Sequence, residues 1–557
     1  MHKLLWVLIL LCCAQPLRAR MLYVPSPDYN TIQSAINAAI DGDTITVSPG
    51  AYIENIDFKG KSITVQSTDP DDPNVVAATT INGSNPPDPN FGSAVLFQSG
   101  EDNNSVLAGF TITGGTGSWL ATSWDLHQIY WNRCGGGILC YNMSAPTITK
   151  NVFTGNIAGQ GGGIYIYGDP VDPNNPTNPS VHVSPTITSN TFTNNSALTA
   201  HGFPPPNTTY PNGDHGDGGA IVGFQGVDPL IIGNTITNNF AQSYGGGVHL
   251  RQWSNGEISN NQIIDNNSTL GAGVHVTYTS SPLIANNLIR SNTSAGGGGG
   301  IYVYYYSDPV IERNFIAQNY SWYSAGIGVY WSSEPQIRDN ILVRNKGLAV
   351  LCDTGGSGTT IVTGNTIADN NGRYSTGGIR CAAGNAIIER NVITSNGGYG
   401  LDESPGYNQT VRYNDVWGNT KGNYSPNIGD QTGLSGNISA DPCFAGPDAN
   451  NYHLLPVSPC VNAGDPNYTP EPNETDIDGE QRVFNAVVDI GADEVVTNPC
   501  DLNADGLVGF YELDVLADEW LHTGLDLQTD FNSDGIVDFT DFAELASQWL
   551  WTGMWRR

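Results

Sequence analysis

Positive charge is scarce in this sequence. Its 557 residues include 21 Lys and Arg against 53 Asp and Glu, so the formal net charge is −32 at pH 7. A protein that binds nucleic acid needs clustered Lys and Arg side chains facing the phosphates. The composition therefore excludes nucleic acid as an expected partner and favours cations.

Long apolar runs are missing beyond the first residues. A helix that crosses a bilayer needs about 20 apolar residues, whereas the run from Leu4 to Leu11 is much shorter. It follows His2 and Lys3 and precedes the small residue Ala19, a pattern typical of an export signal. We therefore expect residues 1–20 to be a signal peptide. The mature protein is expected to be secreted or associated with the cell surface, with no transmembrane segment.

Helix-forming residues are also sparse. Only 13% of the residues are charged, while Gly numbers 67, and this composition is typical of turns and strands. Export permits disulfides, and the sequence leaves their connectivity open. The conceivable pairs are Cys134 with Cys140, Cys352 with Cys381, and Cys443 with Cys460, which leaves Cys500 over.

A repeat of about 26 residues runs through most of the chain. Its template is a branched apolar residue, an Asn three positions later, another apolar residue and a second Asn, as in LIANNLIRSN and VIERNFIAQN. The first asparagines are Asn151, Asn190, Asn234, Asn261, Asn287, Asn314, Asn340, Asn365, Asn391 and Asn414. From Asn234 onward the steps are 27, 26, 27, 26, 25, 26 and 23 residues, and ten matches to one template indicate a solenoid.

The repeat length predicts the architecture of that solenoid. About 26 residues accommodate three short strands and three turns, and stacked repeats would pair each strand with its neighbours at about 4.8 Å. Asn suits an inward turn because its amide both donates and accepts, so stacked copies can form a ladder. Glycine clusters such as GGGI at Gly161 to Ile164 predict a turn that needs positive φ or close backbone approach.

These motifs resemble the right-handed parallel β-helix of the pectate-lyase-like superfamily. The resemblance implies an all-β solenoid over residues 101–420, preceded by a cap and first coils over 21–100. That cap would include a short helix from about Thr31 to Ala39, which covers an open sheet edge. Residues 421–497, which contain SPCVNAGDP and DIGADE, resemble the closing segment of secreted bacterial β-helix proteins. The motif is specific for the fold and unspecific for chemistry.

Residues 498–557 contain two acidic loops of the EF-hand type. DLNADGLVGFYE and DFNSDGIVDFTD both fit the calcium-loop pattern, in which a Gly makes the sharp turn. The predicted calcium ligands are Asp501, Asn503, Asp505, Leu507, Glu512, Asp530, Asn532, Asp534, Ile536, Asp538 and Asp541. Similarity continues past the loops at an offset of 29, for example from Trp520 to Trp549, so the segment is a tandem duplication in which a helix follows each loop.

Paired loop-then-helix units resemble a type I dockerin, a small all-α calcium-binding domain. That resemblance implies two Ca²⁺ ions and a cohesin-bearing scaffold as partner. The bulky Phe510 and Tyr511 occupy positions where cellulosomal dockerins usually have smaller polar residues, so this segment departs from the cellulosomal type there. A calcium-stabilised module without a partner remains the alternative.

Aligning the strands on their glycine turns predicts two outward columns of side chains that are rich in aromatic residues. Such a flank could stack against the flat faces of sugar rings, so polysaccharide is the expected ligand. The predicted substrate-binding residues are Tyr165, Tyr167, Trp253, Tyr302, Tyr304 and Tyr330. Packing beneath the insertions at 169–182 and 197–217 would explain the same residues.

The catalytic signal is thinner. Lyases of the resembled superfamily use calcium beside an Arg or Lys that removes the proton α to a uronate carboxylate, and Arg251 with His249 and His275 could serve that scheme. This would add a calcium site on the β-helix. Glycoside hydrolases need two carboxylates around the bond, and no stacked pair is evident on the tyrosine face. A lyase is therefore favoured over a hydrolase.

Two functions remain open on the sequence alone. The first is an exported polysaccharide-processing protein, a calcium-assisted lyase or a related glycan-active β-helix, docked through its tail. The second is a non-catalytic carbohydrate-binding or cell-surface structural protein that uses the same solenoid. The resemblances point to polysaccharide, while the lack of a convincing catalytic set favours binding.

Overall fold

The computed structural model describes residues 19–123, 129–168, 181–199, 215–356, 358–407, 409–484, 487–496, 498–503, 507–524 and 527–550. By its internal contacts the chain divides into an N-terminal unit, Met1–Glu257, and a C-terminal unit, Ile258–Arg557. Residues 1–18 of the predicted signal peptide lie outside the described residues. Among the helices in the described part of the chain, none is long and apolar enough to span a membrane.

The N-terminal unit is a stack of coils whose strands form three sheets. The first sheet contains Met21–Val24, Thr44–Val47, Thr64–Ser67, Val106–Ala108, Thr147–Thr149, Thr186–Thr188 and Leu230–Ile232. The second contains Gly50–Tyr52, Thr79–Asn82, Thr111–Thr113, Val152–Thr154, Thr191–Thr193 and Thr235–Thr237. The third contains Ile56–Asp57, Val95–Phe97, Ile138–Cys140, Ile157–Ala158, Ile164–Tyr167, Ser196–Ala197, Ile221–Phe224, Phe240–Ala241 and Val248–Arg251. All of these strands pair in parallel with strands of neighbouring coils, as a β-helix requires.

The C-terminal unit repeats the same three sheets. The first contains Leu283–Ala285, Val310–Glu312, Gln336–Arg338, Thr359–Thr363, Asn385–Glu389 and Thr410–Arg412, and Glu257–Ser259 lies at the unit boundary. The second contains Gln262–Ile264, Leu288–Arg290, Phe315–Ala317, Ile341–Val343, Thr366–Ala368, Val392–Thr394 and Asp415–Trp417. The third contains Asn267–Leu270, Val274–Thr277, Thr293–Gly297, Ile301–Tyr304, Tyr320–Tyr330, Lys346–Asp353, Asn371–Ala383, Gly397–Glu403 and Gly422–Tyr424. Branched apolar residues of these strands fill the core.

Two ladders of asparagines run along each stack, as the repeat predicts. Asn261, Asn287 and Asn314 are at most 2% exposed. Asn287 donates from its side-chain amide to Oδ1 of Asn314 at 2.9 Å and to the backbone carbonyl of Ile258, in the preceding coil, at 2.8 Å. Each rung thereby satisfies buried backbone groups that the turn would otherwise leave without partners. The inward Asn ladder is confirmed.

The turn before each ladder Asn has a fixed backbone shape. Asn286 and Ser291, the residues before two rungs, have φ values of 57° and 56°. The next turn requires glycine for two reasons. Gly298 has a φ of 63°. A Cβ on Gly300 would come within 2.8 Å of the Gly326 carbonyl oxygen. Both reasons predicted for the glycine clusters, positive φ and close backbone approach, are therefore confirmed.

The N-terminal helix spans Ile32–Ala38, close to the predicted bounds. Thr31 caps it, and the carboxylate of Glu54 accepts from the backbone N–H groups of Ile32 and Gln33 at 3.0 Å each. A second short helix, Pro73–Ala78, follows in the same unit. An antiparallel sheet of Phe91–Gly92, Gly117–Ser123 and Ile129–Cys134 projects from the coils.

The segment after the last coils of the C-terminal unit folds back on them. It contains the antiparallel strands Phe444–Gly446 and Asn451–Leu454, joined by the 3₁₀ helix Pro447–Ala449. Arg482 is fully buried and lies 3.1 Å from Asp339 of a coil and 3.4 Å from Glu494 of the segment itself. The pair with Asp339 links the segment to the coils, and the pair with Glu494 holds the buried guanidinium in place within the segment.

The tail contains the helices Phe510–Asp518 and Phe539–Ser547, each of which follows one acidic loop. The two halves exchange equivalent contacts. The backbone N–H of Leu521 donates to the Val537 carbonyl at 2.8 Å, and the N–H of Leu550 donates to the Val508 carbonyl at 2.9 Å. Both pairs are related by the 29-residue offset, so the duplication seen in the sequence is also a structural one.

Candidate functional site

Strand register shows which side chains share a column. In the N-terminal unit the two columns are Tyr165, Val222 and His249, and Tyr167, Phe224 and Arg251. In the C-terminal unit they are His275, Tyr302 and Gly328, and Thr277, Tyr304 and Tyr330. Within each unit, aligning the strands on their glycine turns therefore predicted the columns correctly.

The aromatic side chains of the N-terminal unit are buried rather than exposed. Tyr165 is fully buried and Tyr167 is 9% exposed, because both pack with Leu96, Leu139 and Phe224. Burial raises the pKa of the Tyr165 hydroxyl well above its usual range. The expectation of an exposed stripe is wrong for these two residues, which form a packed cluster on the flank of the sheet.

Arg251 lies in the same buried region. It is 4% exposed, its Nη1 lies 3.9 Å from Asp217 Oδ2, and its guanidinium lies over the Phe224 ring at 5.4 Å from the centroid. Burial raises the pKa of Asp217 to about 7 although Arg251 opposes this. Burial, and then the charge of Arg251, lower the pKa of His215 to about 4. A buried guanidinium beside a carboxylate is poorly placed to act as a base on a large polysaccharide.

The two predicted catalytic histidines are equally enclosed. His249 is 1% exposed and its ring lies 6.2 Å from that of Tyr244. In the other unit, His275 is 3% exposed and makes an edge contact with Tyr302 at 5.1 Å. Trp253, predicted to bind substrate, is half-buried, follows the strand Val248–Arg251 and has a φ of 58°.

Tyr302 and Tyr330 form a stacked pair in the C-terminal unit. Their ring centroids are 4.7 Å apart, and the Tyr330 hydroxyl and the Ser324 hydroxyl lie 3.2 Å apart. The rings cover Gly297, where a Cβ would come within about 3 Å of both side chains. Tyr302 is 8% exposed, so the expected exposed stripe is wrong here too, while Tyr304 remains half-buried.

A further group of aromatic rings, two exposed and two half-buried, lies just beyond the ends of these strands. We call Tyr278, Tyr305, Tyr306 and Trp331 the aromatic turns. All four residues have positive φ values, between 48° and 58°. Tyr306 is 52% exposed and Trp331 is 58% exposed. These turns, rather than the columns inside the strands, present aromatic surface to solvent.

The columns continue into charged residues that the sequence alignment did not reach. Tyr330 pairs with Asp353, and the column of Tyr302 and Gly328 continues through Leu351 to Arg380 and Asp402. Arg380 Nη1 lies 3.7 Å from Asp402 Oδ2, and the Thr376 hydroxyl donates to the same oxygen at 2.8 Å. Burial raises the pKa of Asp353, and Arg380 opposes this. Carboxylates therefore flank Arg380 from the two neighbouring coils, although none is stacked directly on another.

The acidic loops of the tail are arranged around their own backbone. In the second loop, the Asp530 carboxylate accepts from the N–H groups of Asp534 and Gly535 at 3.0 and 2.8 Å. Asp541 accepts from the Asp538 N–H at 2.9 Å, and Asp538 accepts from the Thr540 N–H at 2.7 Å. Asn532 and Ile536 lie within the same loop. These oxygen donors in one turn suit a hard cation such as Ca²⁺.

The structure describes only part of the first acidic loop. Asp505 lies outside the described residues, whereas Asp501, Asn503 and Leu507 are described. Glu512 is 1% exposed and accepts from the Gly509 N–H at 2.7 Å, the same relation that Asp541 has to its loop. The last acidic residue therefore closes both loops in the same way.

The fold is that of a right-handed parallel β-helix. A family model described as "Right handed beta helix region" matches residues 127–296 and 212–367. A solved structure titled "Crystal structure of pectate lyase Pel9A" is similar with a TM-score of 0.35 and 14% sequence identity, over 86% of this chain and 96% of that chain. No curated protein matches the sequence.

Proposed function

We propose that this protein binds a polysaccharide on the aromatic turns of its C-terminal unit. The observation that carries the proposal is the pair Tyr306 and Trp331, whose large apolar side chains are each more than half exposed, at 52% and 58%. Exposed aromatic rings gathered on one surface are typical of a binding site. The flat faces of sugar rings stack on such side chains.

The spacing of the rings suits a linear chain. Tyr278 and Tyr305 have ring centroids 4.8 Å apart, and Tyr305 and Trp331 stack at 6.2 Å with an interplanar angle of 28°. Each ring comes from a successive coil, and coils repeat at about 4.8 Å. A glycan lying along the stack would therefore meet a series of rings rather than one.

The backbone conformation of the aromatic turns supports a binding role for their side chains. Bulky residues rarely adopt positive φ, and such positions cost of order 1–3 kcal/mol each. Tyr305 and Tyr306 nevertheless adopt it in succession, with φ values of 58° and 54°. The equivalent turn positions of the next coil, Trp331 and Ser332, also have positive φ, at 48° and 53°, so the turn itself fixes the direction in which the rings project.

The net charge of the protein favours one class of polysaccharide over another. A protein with a formal charge of −32 repels polyanions at long range. A neutral polysaccharide is therefore the favoured ligand for the aromatic turns. A uronate polymer would need local compensation, which in the C-terminal unit Arg380 could supply.

Affinity electrophoresis of the full chain in gels that contain neutral or uronate polysaccharides tests this proposal. Replacing Tyr306 and Trp331 together by Ala removes two ring contacts worth about 1 kcal/mol each, so retention should weaken by roughly tenfold or more. The matched control is Tyr23→Ala, since Tyr23 is also exposed, at 55%, and lies in the N-terminal unit. Equal retention of the double variant, the control and the wild type would refute binding at the turns.

Cleavage of the bound polysaccharide is the second candidate function, and the group of Asp353, Arg380 and Asp402 favours it. A raised pKa suits Asp353 to proton donation, while Arg380 could neutralise a uronate carboxylate during β-elimination. The carboxylates flanking Arg380 also reopen hydrolysis, which needs two carboxyl groups around the bond. The buried Arg251, His249 and His275 are less suited to either reaction.

A product assay separates these outcomes. Elimination creates unsaturated ends that absorb ultraviolet light, whereas hydrolysis creates reducing ends without that absorbance. Either product should be lost in Arg380→Ala and Asp402→Asn, and should persist in Arg290→Ala, an exposed arginine of the second sheet. Binding without any product would leave the protein a non-catalytic carbohydrate-binding β-helix.

We further propose that the tail binds two Ca²⁺ ions and docks the protein onto a cohesin-bearing scaffold outside the cell. The loop oxygens of Asp530 and Asp541, and the mutual contacts of the two halves, support this part of the proposal. Bulky exposed Phe510 and Phe539, at 81% and 77%, sit at equivalent positions of the halves and offer apolar surface to such a partner. Export rests on the signal-like N-terminus.

A further inference from the structure

We propose that His453, Asp478 and Asp493 form a binding site for a divalent transition-metal ion in the segment that follows the coils. One ligand atom of each residue lies within 4.8 Å of the others. His453 Nε2 and Asp478 Oδ2 are 2.8 Å apart. Neither the polysaccharide function nor the calcium loops use these residues, so the inference is independent of both.

The three side chains are held in place by their surroundings. His453 lies in strand Asn451–Leu454, and its Nδ1 contacts Asn451 Oδ1 at 2.6 Å, which turns Nε2 towards Asp478. Asp493 accepts from the Leu454 N–H at 2.7 Å. An outer contact on the second ring nitrogen of a metal-binding histidine is the usual way to fix its orientation.

Asp478 sits in a tight turn that fixes its position as well. The Asp476 carboxylate accepts from the N–H groups of Asp478 and Glu480 at 3.0 and 2.9 Å. Its other oxygen accepts from the Glu494 N–H at 3.0 Å. Backbone on both sides of the three ligands is thereby tied together before any ion binds, which lowers the cost of assembling the site.

The charge balance of the region favours a cation. Asp493 is 3% exposed and Asp476 is fully buried. The nearby Arg482 already pairs with Asp339 and Glu494. A buried group of carboxylates with so little compensation would be stabilised by a bound ion.

The contact between His453 and Asp478 does not by itself compensate the negative charge of these buried carboxylates. His453 Nε2 and Asp478 Oδ2 are both buried, and their contact lacks the geometry of a hydrogen bond. Both atoms can therefore also bind an ion that lies between them and Asp493. The competing occupant is a proton on the imidazole, which would make His453 a cationic bridge between two carboxylates.

The donor set selects the class of metal. One imidazole nitrogen and two carboxylates suit Zn²⁺ or a neighbouring first-row ion, with positions left for water. Ca²⁺ and Mg²⁺ prefer six or more oxygen ligands. The site should therefore take Zn²⁺ even when calcium is in excess.

Zinc titration of the full chain, freed of metal and then held in excess calcium, tests the proposal by calorimetry. The wild type should take up one more Zn²⁺ than Asp493→Asn or Asp478→Asn, or bind it at least about tenfold more tightly. His182→Ala is the matched control, because His182 also contacts a carboxylate, Asp228, at 3.0 Å. It should behave as the wild type.

Asn preserves the shape of Asp, and Asp478 is partly exposed, so Asp478→Asn carries the comparison if Asp493→Asn melts early without metal. Zn²⁺ should raise the melting temperature of the wild type and of His182→Ala, and should leave that of Asp478→Asn unchanged. Identical zinc uptake by all chains would overturn the site in favour of the bridging proton. Displacement of zinc by calcium would overturn the metal class.

Discussion

Asn292 donates from both its backbone N–H and its side-chain amide to Oδ1 of Asn319, at 2.9 and 3.1 Å. The same amide also donates to the Ile263 carbonyl of the preceding coil at 2.8 Å. One side chain thus joins three successive coils at a fully buried position. The ladder therefore contributes directly to stability, which makes it a good target for mutation.

Asn292→Ala should be strongly destabilising. It removes the acceptor used by Asn266 and leaves the Ile263 carbonyl without its donor, and each buried group left without a partner costs about 1–3 kcal/mol. We expect the free energy of unfolding to fall by roughly 2–5 kcal/mol. Urea denaturation measures this. Asn267→Ala, at an exposed strand position beside Asn266, should change it by less than about 0.5 kcal/mol; an equal loss in both variants would contradict the role of the ladder.

The stability of the C-terminal unit should depend on the protonation of Asp415. Burial raises its pKa from 3.8 to about 6. The folded state therefore binds a proton more tightly than the unfolded state, so the contribution is complete below pH 4 and is lost as pH rises through 6. The loss should reach about 3 kcal/mol. Asp415→Asn should flatten this part of the pH profile.

Urea denaturation of wild type and variant between pH 4 and 8 measures that difference. Asp441→Asn serves as the control, because Asp441 is an exposed carboxylate of the same region. Its profile should follow the wild type. If Asp415→Asn shows the same slope as the wild type, the buried carboxyl is not the group that titrates.

Cys352 and Cys381 should form a disulfide under oxidising conditions. Both are free thiols in the structure and are direct register partners on adjacent parallel strands. Parallel neighbours lie about 4.8 Å apart, within the about 4.4–6.8 Å that a disulfide spans between Cα atoms. The cross-link should stabilise the protein by up to about 3–4 kcal/mol.

Mass spectrometry after mild oxidation checks this pairing through a linked peptide that has lost two hydrogen atoms. Cys381→Ser should abolish the product. Cys140→Ser should leave it intact, because Cys140 is buried and its register partners are Phe97 and Ile166. Absence of the linked peptide from the oxidised wild type would show that the two thiols cannot approach.

Calcium should stabilise the tail through two separable sites. At a concentration 100-fold above its Kd, each ion should add about 2.7 kcal/mol to the stability of the folded loops. Glu512→Gln and Asp541→Asn remove the closing ligand of the first and second loop, so each should lose one equivalent in a calcium titration of the full chain. Glu544→Gln, an exposed change on the second helix, should retain both. Superimposable melting curves with calcium and with chelator would contradict the calcium proposal.

The sequence predicted the stacked coils and the columns of side chains, because both depend on the local repeat pattern. The spacing of Asn287 and Asn314 indicated stacked coils because identical side chains one turn apart can bond only if the backbone repeats. The strand alternation also placed Tyr302 and Tyr330 in their correct columns. In both cases the relevant neighbours lie one repeat away, so the repeat itself supplies the three-dimensional information.

The sequence did not predict which outward-facing side chains are buried, because that depends on the segments that pack over them. Alternation shows that Tyr165 leaves the core, but it does not show that Leu96 and Leu139 enclose it. The column of Arg380 and Asp402 was missed because the strand alignment ended with the strand that contains Tyr330, and extending it over the next repeats would have found both. The three proposed metal ligands share no spacing rule, since His453 is brought to Asp493 only by tertiary folding.

The one-way order of donors and acceptors along the ladder has a consequence for how such a chain can lengthen. Asn287 donates one amide proton to Oδ1 of Asn314, and Asn314 donates one to Oδ1 of Asn340, so these bonds between side chains run towards the higher residue number. Excising residues 287–313 as a block would bring Asn286 directly before Asn314, and every remaining amide would still find a recipient. Removing a single residue would instead leave protons facing the wrong atom. Genes for such proteins are thus free to gain or lose whole turns of the spiral, while smaller changes in length are penalised.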